Sequence, residues 1–167
     1  MLSMNKYFKN ARGITLPELL AVFVILGILG TVIVSFLISG FHSQARIQVE
    51  AELRDEADII MAELISDFYT LKSSEIQDEY LPEPGTNNYY IELTNGNKIG
   101  FYNGEVHLKN KQTVSLTTNN ILLDNRSKIE VIDFEKGLYH ISLTIVKAGA
   151  DPKQELTTES EIAIIKN

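Results

Sequence analysis

Apolar residues along this chain fall into three successive patterns. The first is a run of 23 residues, Leu19 to Phe41, without an ionisable side chain. The second extends to about Glu79 and repeats apolar residues at spacings of three and four, the period of an amphipathic helix. The third begins beyond Leu81 and alternates apolar with polar residues, the period of a strand with one buried face. The chain is therefore predicted to be helical first and β-sheet afterwards.

The uncharged run is long enough to cross a bilayer, since about 20 apolar residues span the hydrocarbon layer. Basic residues precede it at Lys6, Lys9 and Arg12, which places the N-terminus in the cytoplasm and the rest of the chain outside. A secretory signal is the alternative, but it would have an apolar core of about 7–15 residues and an Ala-x-Ala-like cleavage site. Residues 39–42, Ser-Gly-Phe-His, fit such a site poorly. The pattern favours a retained membrane anchor.

A single carboxylate, Glu18, stands at the start of the apolar run, and no acidic residue precedes it. A carboxylate costs roughly 2.5–3.5 kcal/mol at the centre of a membrane helix and less near its end, so its presence requires a reason. One reason is local, because Thr15 and Glu18 have the spacing of a capping box, in which both side chains bind backbone amides of the first turn. Pro17 also suits a first turn. The other reason is a contact with a neighbouring molecule, and the two roles are compatible.

The residues around Glu18 resemble the processing site of type IV pilins and pseudopilins, the class III signal. The matching segment is Gly13-Ile14-Thr15-Leu16-Pro17-Glu18-Leu19-Leu20. The resemblance implies that a prepilin peptidase cuts between Gly13 and Ile14 and methylates the new N-terminus at Ile14. Glu18 is then fifth from that terminus. The family usually has Phe at the position of Ile14, so the sequence departs from the commonest form of the motif there.

The resemblance implies a binding partner for Glu18, the N-terminal amine of a neighbouring subunit. The amine created at Ile14 would have a pKa near 8, so it would be largely cationic at neutral pH. An unpaired charge is strongly unfavourable in an apolar bundle of helices, and Glu18 of one subunit can pair with the Ile14 amine of the next. Such a pair would fix the axial register between neighbouring subunits.

Small residues form a ladder with four-residue spacing along one stripe of the apolar run. The ladder consists of Gly27, Thr31, Ser35 and Ser39. Such a stripe lets helices approach closely in lipid, so it is a candidate packing surface between subunits. Small residues are also common in any membrane helix, and the spacing does not separate the two interpretations.

Beyond the membrane segment the helix is expected to continue to about Glu79, because residues 41–79 contain no proline and no glycine. The acidic residues between Glu50 and Glu63 lie mainly off the apolar stripe, which favours a solvated surface over a metal or acid–base site. A helix from Thr15 to Glu79 would be about 95 Å long at 1.5 Å per residue. The predicted stripe consists of Leu53, Ala57, Ile60, Met61, Leu64, Phe68 and Leu71.

Two prolines and a glycine within residues 81–85 end the predicted helix, and strand patterns follow. The order predicts an α+β fold, in which a long N-terminal helix packs its apolar stripe on one face of an antiparallel meander. Residues 113–123 are strand-like but less clearly patterned. The predicted strands and turns are those at Tyr89 to Leu93, Asn95-Gly96, Ile99 to Phe101, Asn103-Gly104, Val106 to Leu108, Ile129 to Phe134, Lys136-Gly137, Ile141 to Ile145, and Ile162 to Ile164.

The patterns divide the chain into four segments. This order of a helix followed by strands is similar to that of minor pilins of the J type in type II secretion and of their relatives in Gram-positive competence systems. That resemblance implies four partners: the prepilin peptidase and methyltransferase, other pilin subunits, a membrane assembly platform, and the ATPase of that platform. The segments are a cleaved cytoplasmic leader at 1–13, a transmembrane and assembly helix at 14–41, its amphipathic continuation at 42–80, and a sheet head at 81–167.

Composition restricts the chemistry that this chain can perform. The formal net charge is −7, and loss of a leader with three positive and no negative residues makes it −10. This acidity argues against a broad nucleic-acid surface, which needs a basic face. The five basic residues near predicted loops are a minor candidate for phosphate contact. They are Lys98, Lys109, Lys111, Arg126 and Lys128.

No catalytic arrangement emerges from the sequence. The absence of cysteine excludes disulfides and thiolate metal sites. His42, His107 and His140 are too few and too scattered for a metal site, and the last two are expected to face solvent on strands. No phosphate-binding glycine loop or nucleophile motif occurs. We expect no enzyme activity and no cofactor.

Two functions from different classes remain. The first is a precursor that is cut after Gly13 and assembles through its helix into a pilus or pseudopilus for DNA uptake, secretion or adhesion. The second is a membrane-tethered extracytoplasmic module that binds a ligand and does not polymerise. The mature N-terminus separates them, since only the first requires a chain that begins at Ile14.

Overall fold

The computed structural model describes residues 15–110, 113–114, 116, 120–150 and 153–166. It begins with one helix of 55 residues, α1 (Leu16–Thr70). The chain divides into two compact units between Ala45 and Arg46. The first 30 helical residues, 16–45, belong to one unit, and the rest of the helix belongs to the unit that contains all the strands.

Helix α1 ends at Thr70, so the predicted end near Glu79 is wrong. A 3₁₀ turn at Ser73–Glu75 and a strand, β1 (Ile76–Tyr80), take the place of the last two predicted turns. The physical reason lies far along the chain. The backbone N–H of Lys109 donates to Asp67 Oδ2 at 2.6 Å, and its Nζ donates to the carbonyl of Thr70 at 3.1 Å. The second bond satisfies a carbonyl of the C-terminal turn, where helical carbonyls otherwise lack partners, and the first attaches the same turn to the backbone of Lys109 through the Asp67 carboxylate.

The first sheet contains five antiparallel strands in the order β1-β2-β3-β4-β5. Both predicted Asn-Gly turns are confirmed. In the second of them Asn103 has φ +52° and Gly104 has φ +77°, which is the positive pair that a two-residue type I′ hairpin requires. The four strands after β1 are β2 (Tyr89–Leu93), β3 (Lys98–Tyr102), β4 (Glu105–His107) and β5 (Thr113–Val114).

The remaining strands form a second sheet, so the single meander of the prediction becomes two sheets. The long strand β8 (Leu138–Lys147) lies at its centre. One edge of β8 pairs with β6 (Ile121–Leu123) and β7 (Lys128–Asp133), which lie end to end along it. The other edge pairs with β9 (Glu155–Ala163). Strand β8 has ten residues, which is long enough for two short strands to pair along one of its edges. The strands after β5 therefore form a sheet of their own.

The predicted apolar stripe of the helix is confirmed as core. All seven of its residues are buried, together with the inward-facing positions of both sheets. The ring of Phe68 meets Tyr139 of β8 edge-on, with 5.5 Å between ring centroids. The acidic residues of the helix lie mainly on exposed positions, as their pattern predicts. The α+β class is therefore confirmed, and the helix stripe belongs to the same buried core as the inward-facing residues of both sheets.

Candidate functional site: the apolar helix and Glu18

The first 26 residues of α1, up to Phe41, present an apolar surface that is exposed in the part of the chain that the structure describes. Large apolar side chains between Leu16 and Phe41 are 45% to 78% exposed. The helix is long and apolar enough to cross a membrane, and none of its most apolar window is buried. An exposed apolar surface of this extent requires lipid or another protein as its neighbour.

Glu18 lies exposed in the first turn of this helix. Its Oε2 accepts a bond from the backbone N–H of Thr15 at 3.5 Å, the carboxylate half of the predicted capping box. This long bond uses one carboxylate oxygen, and an ionised carboxylate has acceptor capacity for several donors. Glu18 can therefore cap its own helix and still bind a cationic partner. Gly13 and Ile14, the predicted cleavage and methylation positions, lie outside the described residues.

The four residues of the small-residue ladder are all exposed. The Thr31 hydroxyl donates to the Ile28 carbonyl at 2.7 Å, and the Ser35 hydroxyl donates to the Thr31 carbonyl at 2.9 Å. No atom outside the helix backbone lies within 4 Å of a Cβ placed on Gly27. The ladder is thus a stripe of small side chains along the helix. The Thr31 and Ser35 hydroxyls already bond to carbonyls of their own helix, so another helix can pack closely on the stripe in an apolar medium.

The basic residues that the sequence offers for phosphate contact are engaged with their own chain. The Lys98 ammonium lies 3.5 Å from the centroid of the Tyr102 ring, Lys109 pairs with Glu75 at 2.8 Å, and Lys128 pairs with Glu130 at 3.0 Å. Arg126 binds two carboxylates. Lys111 lies outside the described residues. These contacts leave little uncompensated positive charge at the described positions of this group.

His107 and His140 lie on strands β4 and β8, as expected, but they face solvent only in part. Their side chains are 24% and 23% exposed. Burial lowers the pKa of His107, whose ring meets Tyr102 edge-on. Among the described residues no group of three or more His, Asp and Glu side chains is placed to hold a metal ion.

A network of four charges, which the sequence patterns do not reveal, ties the start of β9 to the loop after β6. Arg126 lies 2.8 Å from Asp124 and 2.6 Å from Glu155. Lys153 lies 3.2 Å from Asp124 and 3.1 Å from Glu155. Hydrogen bonds from Arg126 hold the pKa of Asp124 well below its ordinary value and lower that of Glu155 to about 2. Two carboxylates and two cations thus compensate one another.

Acid is expected to weaken the head through this network. Both carboxylates have lowered pKa values in the folded state, so their ion pairs favour folding above about pH 4 and lose this effect as the pH falls toward 2. An Arg126→Gln variant should show a smaller loss of melting temperature between about pH 5 and pH 2 than the unmodified chain. Arg54→Gln, which removes a single exposed pair at 3.8 Å, is the matched control. Equal pH slopes for Arg126→Gln and the unmodified chain would contradict the assignment.

A half-open cavity of about 330 Å³ lies beside the turn between β7 and β8. Ile76, Tyr139 and Ile164 line it, and Phe134, 74% exposed, stands at its rim. The Tyr139 hydroxyl donates to Glu79 Oε1 at 2.5 Å, and burial together with this carboxylate raises the pKa of Tyr139. The lining of the cavity is mixed, because Ser73, Glu79 and Lys166 lie beside the apolar side chains.

The architecture is pilin-like: a long apolar N-terminal helix whose later turns pack on antiparallel sheets. The specific likeness to pilins comes from the motif around Glu18 and from this architecture. Comparison of the chain with models of protein families, with curated proteins and with solved structures finds no match.

Proposed function

We propose that this chain is a minor type IV pilin-like or pseudopilin subunit. It is cut after Gly13 and assembles through its N-terminal helix into a pilus or pseudopilus that serves DNA uptake, secretion or adhesion. The observation that carries the proposal is a single exposed carboxylate, Glu18, at the beginning of a long uncovered apolar helix. That arrangement is unfavourable in isolation and becomes favourable when a neighbour brings a cation and an apolar surface.

The proposed contact between subunits combines two interactions. The mature amine of Ile14 pairs with Glu18 of the adjacent subunit in a medium of low dielectric, where an ion pair is stronger than in water. The small-residue ladder lets the helices approach closely, so their apolar side chains pack over a long contact. The ion pair selects the axial register, and packing supplies the remaining attraction.

The subunit performs no chemistry of its own in this proposal. A membrane peptidase and methyltransferase matures it, and other subunits join it. A membrane platform with its ATPase extracts it from the bilayer. The precursor crosses the membrane once with a cytoplasmic N-terminus and an extracytoplasmic head. The mature subunit lies in a filament at the cell surface.

A tethered module that binds a ligand and does not polymerise is the second candidate. The cavity beside Phe134 favours it, because apolar side chains with a few polar groups, here Glu79 and Lys166, are a common lining of ligand sites. Glu18 would then serve only as a helix cap.

Shearing of surface filaments from cells separates the two candidates. The proposal expects the mature chain in the sheared fraction together with other filament subunits, and an unprocessed pool in the membrane. Recovery of the chain in the membrane fraction alone, from cells that carry such filaments, would favour the tethered module.

A further inference from the structure

The outer edge of β9 is a long, regular strand edge. Strand β9 pairs with β8 over nine consecutive residue pairs, from Leu138 with Ala163 to Val146 with Glu155. Among the residues that the structure describes, no strand pairs with the opposite edge of β9 between residues 155 and 163. Just beyond it Ile165 forms a parallel bridge with Lys72, which closes that end of the edge. This opposite edge, residues 155–163, is called the β9 edge below.

Backbone hydrogen bonds show which groups of the β9 edge are open. The N–H of Lys147 donates to the Gln154 carbonyl at 2.9 Å, and the N–H of Ile164 donates to the Gly137 carbonyl at 3.0 Å. In an antiparallel ladder such bonded pairs recur at every second residue, so the even-numbered residues of β9 bond to β8. The odd-numbered residues from 155 to 163 direct their N–H and C=O groups outward, and all five are exposed.

The β9 edge has charged side chains as its only protection along residues 155–163, and it lacks the bulge, proline or very short length that protect other strand edges. Elsewhere in the two sheets the outer strands are shorter or irregular. β5 has two residues, and both β1 and β7 contain a shift of register. The β9 edge has an unbroken register and no proline. It is therefore the part of the head best formed to accept an added strand.

Charge on the β9 edge restricts the partner. Glu155, Glu159 and Glu161 project from odd-numbered positions of the strand. If two copies paired through this edge in antiparallel fashion, glutamates would lie opposite or diagonal to glutamates, which is unfavourable. Basic residues at alternate positions of an incoming strand would face these carboxylates instead.

We propose that the β9 edge binds an extended segment of a different protein that carries Lys or Arg at alternate positions. Main-chain hydrogen bonds with the odd-numbered residues attach the segment, and pairing with the three glutamates selects it. Glu155 already binds Arg126 and Lys153. Glu159 accepts a hydrogen bond from the Ser142 hydroxyl at 3.3 Å, so Glu161 supplies most of the selection. The inference does not depend on cleavage or assembly, because the edge belongs to the folded head.

The test uses the full, uncleaved chain in detergent micelles and a labelled nine-residue peptide in which Lys and Thr alternate. We expect saturable binding, with backbone amide shifts largest at the odd-numbered residues 155–163. In an antiparallel ladder the Lys residues that face the glutamates are also those whose backbone N–H groups bond to β9. A peptide of equal charge with backbone N-methyl groups on three of its Lys residues keeps the electrostatic attraction but lacks those donors. It should bind at least tenfold more weakly, since three hydrogen bonds to the edge are lost.

Two substitutions at one position separate charge from backbone pairing. Glu161→Gln removes a carboxylate and should weaken binding about twofold to fivefold, the effect of one cross-strand charge pair. Glu161→Pro also removes the outward N–H and should weaken binding at least tenfold. Glu130→Gln, on β7 away from the edge, is the matched control and should leave affinity within twofold.

Three results would overturn the inference. The first is equal binding of the N-methylated and the unmethylated alternating peptide, which would reduce the contact to general charge attraction. The second is the absence of amide shifts at the odd-numbered positions. The third is concentration-dependent pairing of the chain with itself through these residues. If Glu161→Pro does not fold, the comparison of the two peptides on the unmodified chain still decides the outcome.

Discussion

Replacement of Glu18 by Gln is expected to lower the amount of this subunit in sheared filaments by about tenfold or more, while its amount in the membrane stays unchanged. Gln keeps an oxygen that can accept the N–H of Thr15, so the helix cap is retained. It removes the negative charge that the Ile14 amine would meet, and an amine left unpaired in an apolar contact costs about 3–5 kcal/mol. The measurement is the ratio of sheared to membrane-bound protein.

Glu63→Gln is the matched control for this experiment. Glu63 is an exposed carboxylate on the same helix, but it lies in the solvated part of the head. Its replacement should leave the ratio unchanged. Normal filament incorporation of the Glu18→Gln subunit would show that Glu18 acts only as a cap and would contradict the pairing.

Replacement of Gly100 by Ala is expected to destabilise the head by about 3 kcal/mol. Gly100 has φ +125°, a conformation that a residue with a Cβ rarely adopts. A Cβ there would lie 2.4 Å from the Tyr89 carbonyl oxygen and 2.8 Å from Cδ1 of Ile129. Backbone strain and clashes with the Tyr89 carbonyl and with Ile129 of the second sheet therefore combine at one position. Thermal unfolding of the full chain in detergent micelles, followed by near-UV circular dichroism, measures the effect.

Gly96→Ala separates the two contributions. Gly96 also has a positive φ, +79°, but nothing lies within 4 Å of a Cβ placed on it. Its replacement should lower the free energy of unfolding by about 1 kcal/mol, the effect of backbone strain alone. Equal losses for the two variants would show that the close approach of Tyr89 and Ile129 to Gly100 has no special role.

Elements set by local periodicity were predictable from the sequence. The apolar stripe from Leu53 to Leu71 has a clear helical spacing, and all of its residues are buried. The two Asn-Gly turns specify their own backbone conformation, and the alternation from Ile141 to Ile145 specifies a central strand. In each case neighbouring residues contain the whole signal.

Elements set by distant contacts were not predictable. The end of α1 depends on Lys109, which lies 39 residues beyond Thr70. Strand β9 begins at Glu155, although apolar alternation appears only at its C-terminal end, because a polar strand is held there by pairing with β8. The network around Arg126 joins Glu155, which lies 29 residues further along the chain.

The candidate site also has one feature that was predictable from local sequence and one that was not. The position of Glu18 before the apolar run was evident from the sequence, and the structure adds its exposure and its bond to Thr15. The partner of Glu18 belongs to another molecule in the proposed assembly, so neither local pattern nor the fold of one chain supplies it. Gly13 and Ile14 remain sequence predictions.

The mass of the N-terminal peptide of the mature protein tests the central claim most directly. Cells that carry the filament should yield a chain that begins at Ile14 with an N-methylated amine. The amine can pair with Glu18 of a neighbour only if the chain begins at that position. A functional protein that retains Met1 and the basic residues of the leader would contradict the account, since its N-terminus would lie 13 residues away from the proposed contact.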